Sequence, residues 1–117
     1  MKKLLLLTVY LTLSTSVFSN TMKDLGISSQ LMMMAEYGSK SSWSYSELNE
    51  IESLVNELND EDIKQVWISN IITYALVSNL PNQPPSTHCK VAEKNIARLK
   101  DNDIRSIWKM NFSLYGC

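Results

Sequence analysis

The sequence predicts an all-α protein, on three observations. Its 117 residues include only three Gly and three Pro, too few for the closely spaced turns of an all-β sandwich. Along most of the second half, apolar residues recur three and four positions apart, as on one face of an α-helix. A segment of 17 residues recurs at an offset of 41 residues, a period typical of helical-hairpin repeats. We therefore expect one domain of two helical hairpins, related by this repeat, behind an N-terminal helix.

The first 19 residues have the pattern of an export signal. Two lysines precede an apolar stretch over residues 4–13, and Val17-Phe18-Ser19 places a modest and a small residue at the −3 and −1 positions of a signal peptidase site. We expect cleavage after Ser19, which leaves residues 20–117 as a soluble, single helical domain in the periplasm or the medium. An uncleaved membrane anchor is the alternative, but a spanning helix needs about 20 apolar residues.

Local signals place the N-terminal helix and the first hairpin unit, about residues 44–79. A helix is expected around Ser28 to Tyr37, closed by Gly38. Ser44 and Glu47 then form a capping-box pattern that begins the next helix. All three prolines fall between residues 79 and 86, which predicts a stiff connection without helix between the two hairpin units.

The repeat places the second helix of each unit. Asp60 and Asp101 occupy the same slot, each ahead of an apolar-periodic run, so both are predicted N-caps. Trp67 and Trp108 fall in register and are predicted to be equally buried. In the second unit, about residues 86–117, Ser86 or Thr87 is expected to cap the first helix.

Cys89 and Cys117 are the two cysteines, and both follow the expected cleavage site. In an oxidising compartment an even count predicts a disulfide, here one that closes the second hairpin. The sequence has a single histidine, His88, and no C-x-x-C motif, so it offers no zinc site. His88 is expected to be exposed or to cap a helix in the proline-rich connection.

No pattern in the chain indicates catalysis. It has no Gly-rich phosphate loop, nucleophile elbow or metal-ligand cluster, so we expect no enzymatic activity and no cofactor. A net charge of −1 disfavours a nucleic-acid partner. Residues 20–85 carry nine acidic and three basic residues, whereas residues 86–117 carry three and six. This polarity suits a charged protein partner, although two solvated helical faces explain it equally well.

Two groups of residues are candidates for contact with a partner. Met32, Met33 and Met34 are adaptable thioethers that must face several directions if they are helical, although methionines also fill cores. The second group lies along one edge of an apolar stripe, where a solvated acidic face is the default interpretation and entry into a basic cleft the functional one: Glu47, Glu50 and Glu57.

An export signal, a helical domain of about 100 residues, a disulfide and no catalytic constellation give the chain a layout that resembles the small periplasmic immunity proteins. Those proteins neutralise cell-wall-degrading toxins delivered by rival bacteria. The resemblance concerns layout and not sequence motifs, so no functional residue is carried over. It implies a protein that binds and inhibits a toxin or hydrolase. A periplasmic chaperone or adaptor is the alternative.

Overall fold

The computed structural model describes residues 20–35 and 42–117, and this part of the chain is all-helical without strands, as predicted. The expected signal segment, residues 1–19, lies outside the described residues, as does the predicted end of the N-terminal helix at Tyr37 and Gly38. The helices are α1 (20–35), α2 (Tyr45–Asn56), α3 (Glu61–Val77), α4 (Ser86–Ala97) and α5 (Asn102–Leu114).

Helix α1 begins two turns before its predicted start. The predicted start was Ser28, whereas residues 20–27 are helical as well. Asp24 and Ile27 in these turns are buried against the rest of the protein. Tertiary packing therefore stabilises a segment whose local signals were weak, since most helical stability in proteins comes from such packing.

Three helix starts agree with the sequence. The Ser44 hydroxyl accepts the Glu47 backbone N–H at 3.1 Å, and the Glu47 carboxylate accepts the Ser44 backbone N–H at 3.0 Å, which completes the capping box of α2. Asp60 caps α3 by accepting the Ile63 N–H at 3.0 Å, and Asp101 caps α5 by accepting the Ile104 N–H at 2.9 Å.

The predicted start of α4 was wrong. Neither Ser86 nor Thr87 is the N-cap; that position is Pro85, which provides no side-chain hydrogen bond, and Ser86 is the first helical residue. The Pro85 carbonyl accepts the Cys89 N–H at 3.0 Å. The proline connection itself was predicted correctly, and it contains a cis Leu80–Pro81 peptide bond.

The core runs through α2, α3 and α4. Helix α3 packs most extensively against α4 and next against α2, while α5 packs against α4. The largest interface therefore joins the two predicted hairpins and does not lie within either of them. The largest fully buried apolar side chains are Leu31, Leu48, Ile51, Val55, Ile68, Ile71, Ile72 and Leu76.

The two predicted repeat units share their caps but not their burial. Trp67 is 9% exposed, whereas Trp108 is half-buried, and no residue of α5 is buried. The prediction of equal burial was wrong because α3 lies between two helices, whereas α5 packs chiefly on α4. The repeat as a relation between two structural units stays a prediction.

A histidine in α4 joins that helix to the segment before α2. His88 is buried and not exposed in the connection, which corrects the prediction for it. Its Nε2 lies 2.6 Å from the Trp43 backbone oxygen. A carbonyl oxygen only accepts, so Nε2 carries the proton and donates. His88 Nδ1 lies 3.2 Å from the Thr87 hydroxyl, which can donate to it.

A polar bridge between α2 and α4 lies inside the core. The buried Glu52 carboxylate accepts a hydrogen bond from Asn95 Nδ2 at 2.8 Å and forms an ion pair with Lys94 Nζ at 3.0 Å. Asn95 is fully buried and also donates to the Val91 carbonyl at 2.8 Å. The bridge sets the register of α2 on α4 because buried polar groups require their partners.

Candidate functional site

The predicted disulfide is present and positions α5. Cys89 and Cys117 are bonded, with their Cα atoms 5.6 Å apart and a sequence separation of 28. Cys89 lies in the first turn of α4, and Cys117 follows α5 after Gly116. Gly116 has a φ of +96°, a conformation that favours glycine. The bond therefore ties the end of α5 to the beginning of α4.

The outer side of α5 presents apolar side chains to solvent. The residues lie three and four positions apart, so they project from one side of the helix. Ile107 is 56% exposed, Met110 64% and Leu114 74%, and Ile104 begins the row in the first turn of α5. We call these four residues the α5 apolar face. Scattered apolar residues are common on protein surfaces, whereas a contiguous row of them is a candidate interaction site.

A groove separates the α5 apolar face from α3. It encloses about 300 Å³. Val66 of α3, which is 61% exposed, and Ile104 of α5 line it, and Leu99 is its buried base. We call this feature the α3–α5 groove. It adds a concave apolar surface beside Ile104, the residue of the α5 apolar face that lines it.

One end of the groove is acidic. Glu61 and Asp62 at the beginning of α3 and Asp101 at the beginning of α5 line it, together with Lys100. Lys100 Nζ lies 3.1 Å from the Glu61 carboxylate, and this hydrogen bond holds the pKa of Glu61 below its usual range. Since Lys100 is paired with Glu61, the carboxylates of Asp62 and Asp101 leave this end of the groove with an excess of negative charge.

The turn between α4 and α5 is held by side chains from α3 and α5. Gln65 of α3 donates to the Arg98 carbonyl at 3.1 Å and accepts the Lys100 N–H at 3.0 Å. Arg105 of α5 donates through Nε to the Leu99 carbonyl at 2.9 Å. These contacts position the beginning of α5 and the acidic end of the groove.

The methionines predicted as contact residues lie on α1, away from the groove. Met32 and Met33 are about half exposed, and Met34 is partly buried against the core. Met22 and Leu25 are exposed on the same helix. Since the three methionines face different directions, as expected, only Met32 and Met33 are available at the surface of the monomer.

The predicted acidic edge lies on α2. Glu50 and Glu57 are exposed, whereas the Glu47 carboxylate is occupied by the capping box. None of the three lines the α3–α5 groove. Their role in binding, like that of the methionines, stays a prediction.

The α5 apolar face was missed because its stripe was assigned to the core. The apolar-periodic run after Asp101 was expected to be buried through Trp108, as the run of α3 is through Trp67, whereas no residue of α5 is buried. The available signal was Met110 and Leu114, which extend that apolar run around α5 beyond Ile104 and Ile107. A single neighbouring helix covers only part of a stripe this wide.

Within residues 20–35 and 42–117, no cluster of three or more His, Cys, Asp or Glu side chains could hold a metal ion. None of the helices in the same two ranges is both long and apolar enough to cross a membrane.

Comparison with known proteins adds no relative. No family model matches the chain, and neither a curated protein nor a solved structure is significantly similar to it. The fold and the surface define the class by themselves: a small all-helical protein with one disulfide and an apolar groove beside a half-exposed terminal helix.

Proposed function

We propose that this chain is an exported protein that binds another protein through the α3–α5 groove and inhibits it, as a periplasmic immunity protein inhibits a toxin or hydrolase. The observation that carries the proposal is the α5 apolar face, whose exposed side chains continue across the groove to Val66. Burial of apolar area is the main favourable contribution to protein association.

The export component of the proposal is supported by the disulfide, which is compatible with an oxidising compartment. The signal pattern in residues 1–19 of the sequence indicates the same compartment. Together they favour the periplasm as the place where the partner is met.

The charge at the end of the groove indicates the chemistry of the partner. Asp62 and Asp101 flank an apolar floor, so a complementary segment carries Lys or Arg beside large apolar side chains. A basic substrate cleft with apolar walls has this chemistry. An inhibitor that occupied such a cleft would exclude the substrate without needing a catalytic group of its own.

A chaperone or adaptor function is the second candidate, and the exposed apolar side of α1 favours it. Met22, Leu25, Met32 and Met33 are each more than half exposed there. Flexible thioethers adapt to unlike surfaces, as a protein that binds many unfolded clients requires. On this alternative the client-binding surface is α1 and not the groove.

Substitution in the groove tests the proposal. The mature protein would first capture its partner from a periplasmic extract, and the dissociation constant and the residual activity of that partner would then be measured. Val66→Lys or Ile107→Lys should weaken binding at least about tenfold, since a charge replaces a buried apolar contact. Met33→Lys on α1 is the matched control and should bind as the parent does.

The opposite pattern would support the chaperone. If Met33→Lys lost binding while Val66→Lys kept it, and if the parent suppressed aggregation of unrelated unfolded proteins, the groove would not be the binding surface. A captured partner that remained fully active in the complex would remove the inhibitor function. Val66 and Ile107 are both exposed, so neither substitution should alter folding by more than about 0.5 kcal/mol.

A further inference from the structure

Helix α5 has a weaker hold on the protein than the helices before it. None of its residues is buried, and its contacts with the core come from the half-buried Trp108, Phe112 and Tyr115. On the flank opposite the apolar face, an open cavity of about 490 Å³ separates α4 from α5, between Ile96 on one side and Lys109 and Phe112 on the other. The α4–α5 interface is therefore incompletely filled.

Two clamps hold the ends of α5. At its beginning, Arg105 donates to the Leu99 carbonyl, a bond within the turn that remains possible if the rest of the helix moves. At its end, the Cys89–Cys117 bond attaches the chain to α4. The second clamp is covalent, and it is the one that keeps the far end of α5 near the core.

We propose that the Cys89–Cys117 disulfide is an oxidation-dependent latch that docks α5 and thereby assembles the α3–α5 groove. The inference rests on the proposed function, since the groove is that binding surface. Closing the latch joins two thiols and releases two electrons and two protons. These pass to a disulfide-containing oxidant by thiol–disulfide exchange, and its own disulfide becomes two thiols.

The size of the loop gives the expected strength of the latch. A cross-link across 28 residues restricts the open chain enough to shift an opening equilibrium by up to several hundredfold in the chain-entropy relation. Besides the disulfide, the side chains of α5 that oppose opening are Trp108, Phe112 and Tyr115, and none of them is fully buried. The preceding helices have their own core and should stay folded when α5 leaves.

With such a latch, the protein would become able to bind its partner only after export. In a reducing cytosol both cysteines stay as thiols, and α5 samples undocked positions in which Ile104 no longer faces Val66 across the groove. After export, oxidation docks α5 and completes the groove. The chain would then bind its partner only in the compartment where that partner acts.

Hydrogen exchange measured by mass spectrometry tests the latch on the mature protein. Reduction with dithiothreitol should speed amide exchange in residues 102–114 at least about tenfold, while amides of α2, α3 and α4 change by less than about twofold. The Cys89→Ser, Cys117→Ser double variant should show the same fast α5 exchange without reductant. Adding dithiothreitol to that variant should change nothing, which controls for the reagent.

Two results would overturn the latch. One is an α5 that keeps its full protection in the reduced protein. The other is a loss of protection in all helices together, which would mean that the bond stabilises the whole fold and not α5. The exchange measurement needs no partner, so it stands or falls separately from the proposed function. With a partner in hand, equal affinity of the oxidised and reduced protein would also overturn the latch.

Discussion

At the scale of single residues, Asp24 joins α1 to the turn between α2 and α3. One of its carboxylate oxygens accepts the Asn59 backbone N–H at 2.8 Å and the Asn59 side-chain amide at 3.1 Å. The other accepts the Asp60 N–H at 2.8 Å. Asp60 is itself the N-cap of α3. One carboxylate therefore fixes α1 to the residue from which α3 begins.

The same hydrogen bonds make stability depend on pH. The Asn59 backbone N–H is the largest influence that holds the pKa of Asp24 below its ordinary value, and burial opposes it in part. Since the unfolded chain takes up the proton first as pH falls, the contribution of Asp24 is present above about pH 4 and is lost as pH falls through the lowered folded-state pKa. Asp24→Asn should lower the free energy of unfolding at pH 7. It should also reduce the loss of stability as the pH falls, as measured by urea unfolding from pH 7 to pH 2.

Glu50→Gln is the control for Asp24, because Glu50 is exposed on α2. It should leave unchanged both the stability at pH 7 and the loss of stability as the pH falls. If the stability of Asp24→Asn depended on pH as that of the parent does, the charge of the Asp24 carboxylate would not contribute to stability.

At the scale of helices, α3 and α5 begin alike and are buried differently. Their caps, Asp60 and Asp101, make the same bond to the third residue of the helix. Trp67 and Trp108 then occupy matching sequence positions, yet only Trp67 is buried. The start of a helix is therefore set by its local residues, whereas the burial of a side chain depends on which helices lie beside it.

The two tryptophans should accordingly differ in their cost of truncation. Trp67→Ala should lower the free energy of unfolding by about 3–5 kcal/mol, as expected for a buried tryptophan. Trp108→Ala should cost less, about 2 kcal/mol, since Trp108 is only partly buried. Urea unfolding of the oxidised proteins measures both.

The milder pair Trp67→Phe and Trp108→Phe keeps the comparison measurable if Trp67→Ala fails to fold. Equal costs at the two positions in either pair would contradict the unequal packing and would favour two equivalent repeat units.

At the scale of the whole molecule, opposite charges are segregated along the chain. The acidic excess of residues 20–85 falls mainly on α2, on α3 and on the turn between them, and the basic excess of residues 86–117 falls on α4, on α5 and on the turn that joins them. The ion pair of the buried Glu52 with the exposed Lys94 bridges the two parts. On the proposed function, the exposed acids on the first part would steer a basic partner towards the groove.

Charge reversal on α2 tests this steering. With the captured partner, Glu50→Lys or Glu57→Lys should slow association at low salt and have less effect as salt rises, because screening weakens surface charge. Glu47 is unsuitable, since its carboxylate completes the α2 cap. Association would be followed by stopped-flow fluorescence at two salt concentrations.

Glu93→Lys makes the same change of charge on α4, within the basic part of the chain, and serves as the matched control. It should slow association less than either α2 reversal. Identical rates for the three variants would mean that net charge alone, and not its position, affects the encounter.

The sequence by itself determined the all-α class, the caps Ser44, Asp60 and Asp101, and the pairing of Cys89 with Cys117. These follow from signals within a few residues of each other, or from a single possible cysteine pair. Only the tertiary structure decided that His88 is buried and that the α5 apolar face is left in water. The spacing of a stripe shows which side of a helix is apolar, but its burial depends on how many helices cover it. Two helices flank α3, and α5 rests chiefly on α4.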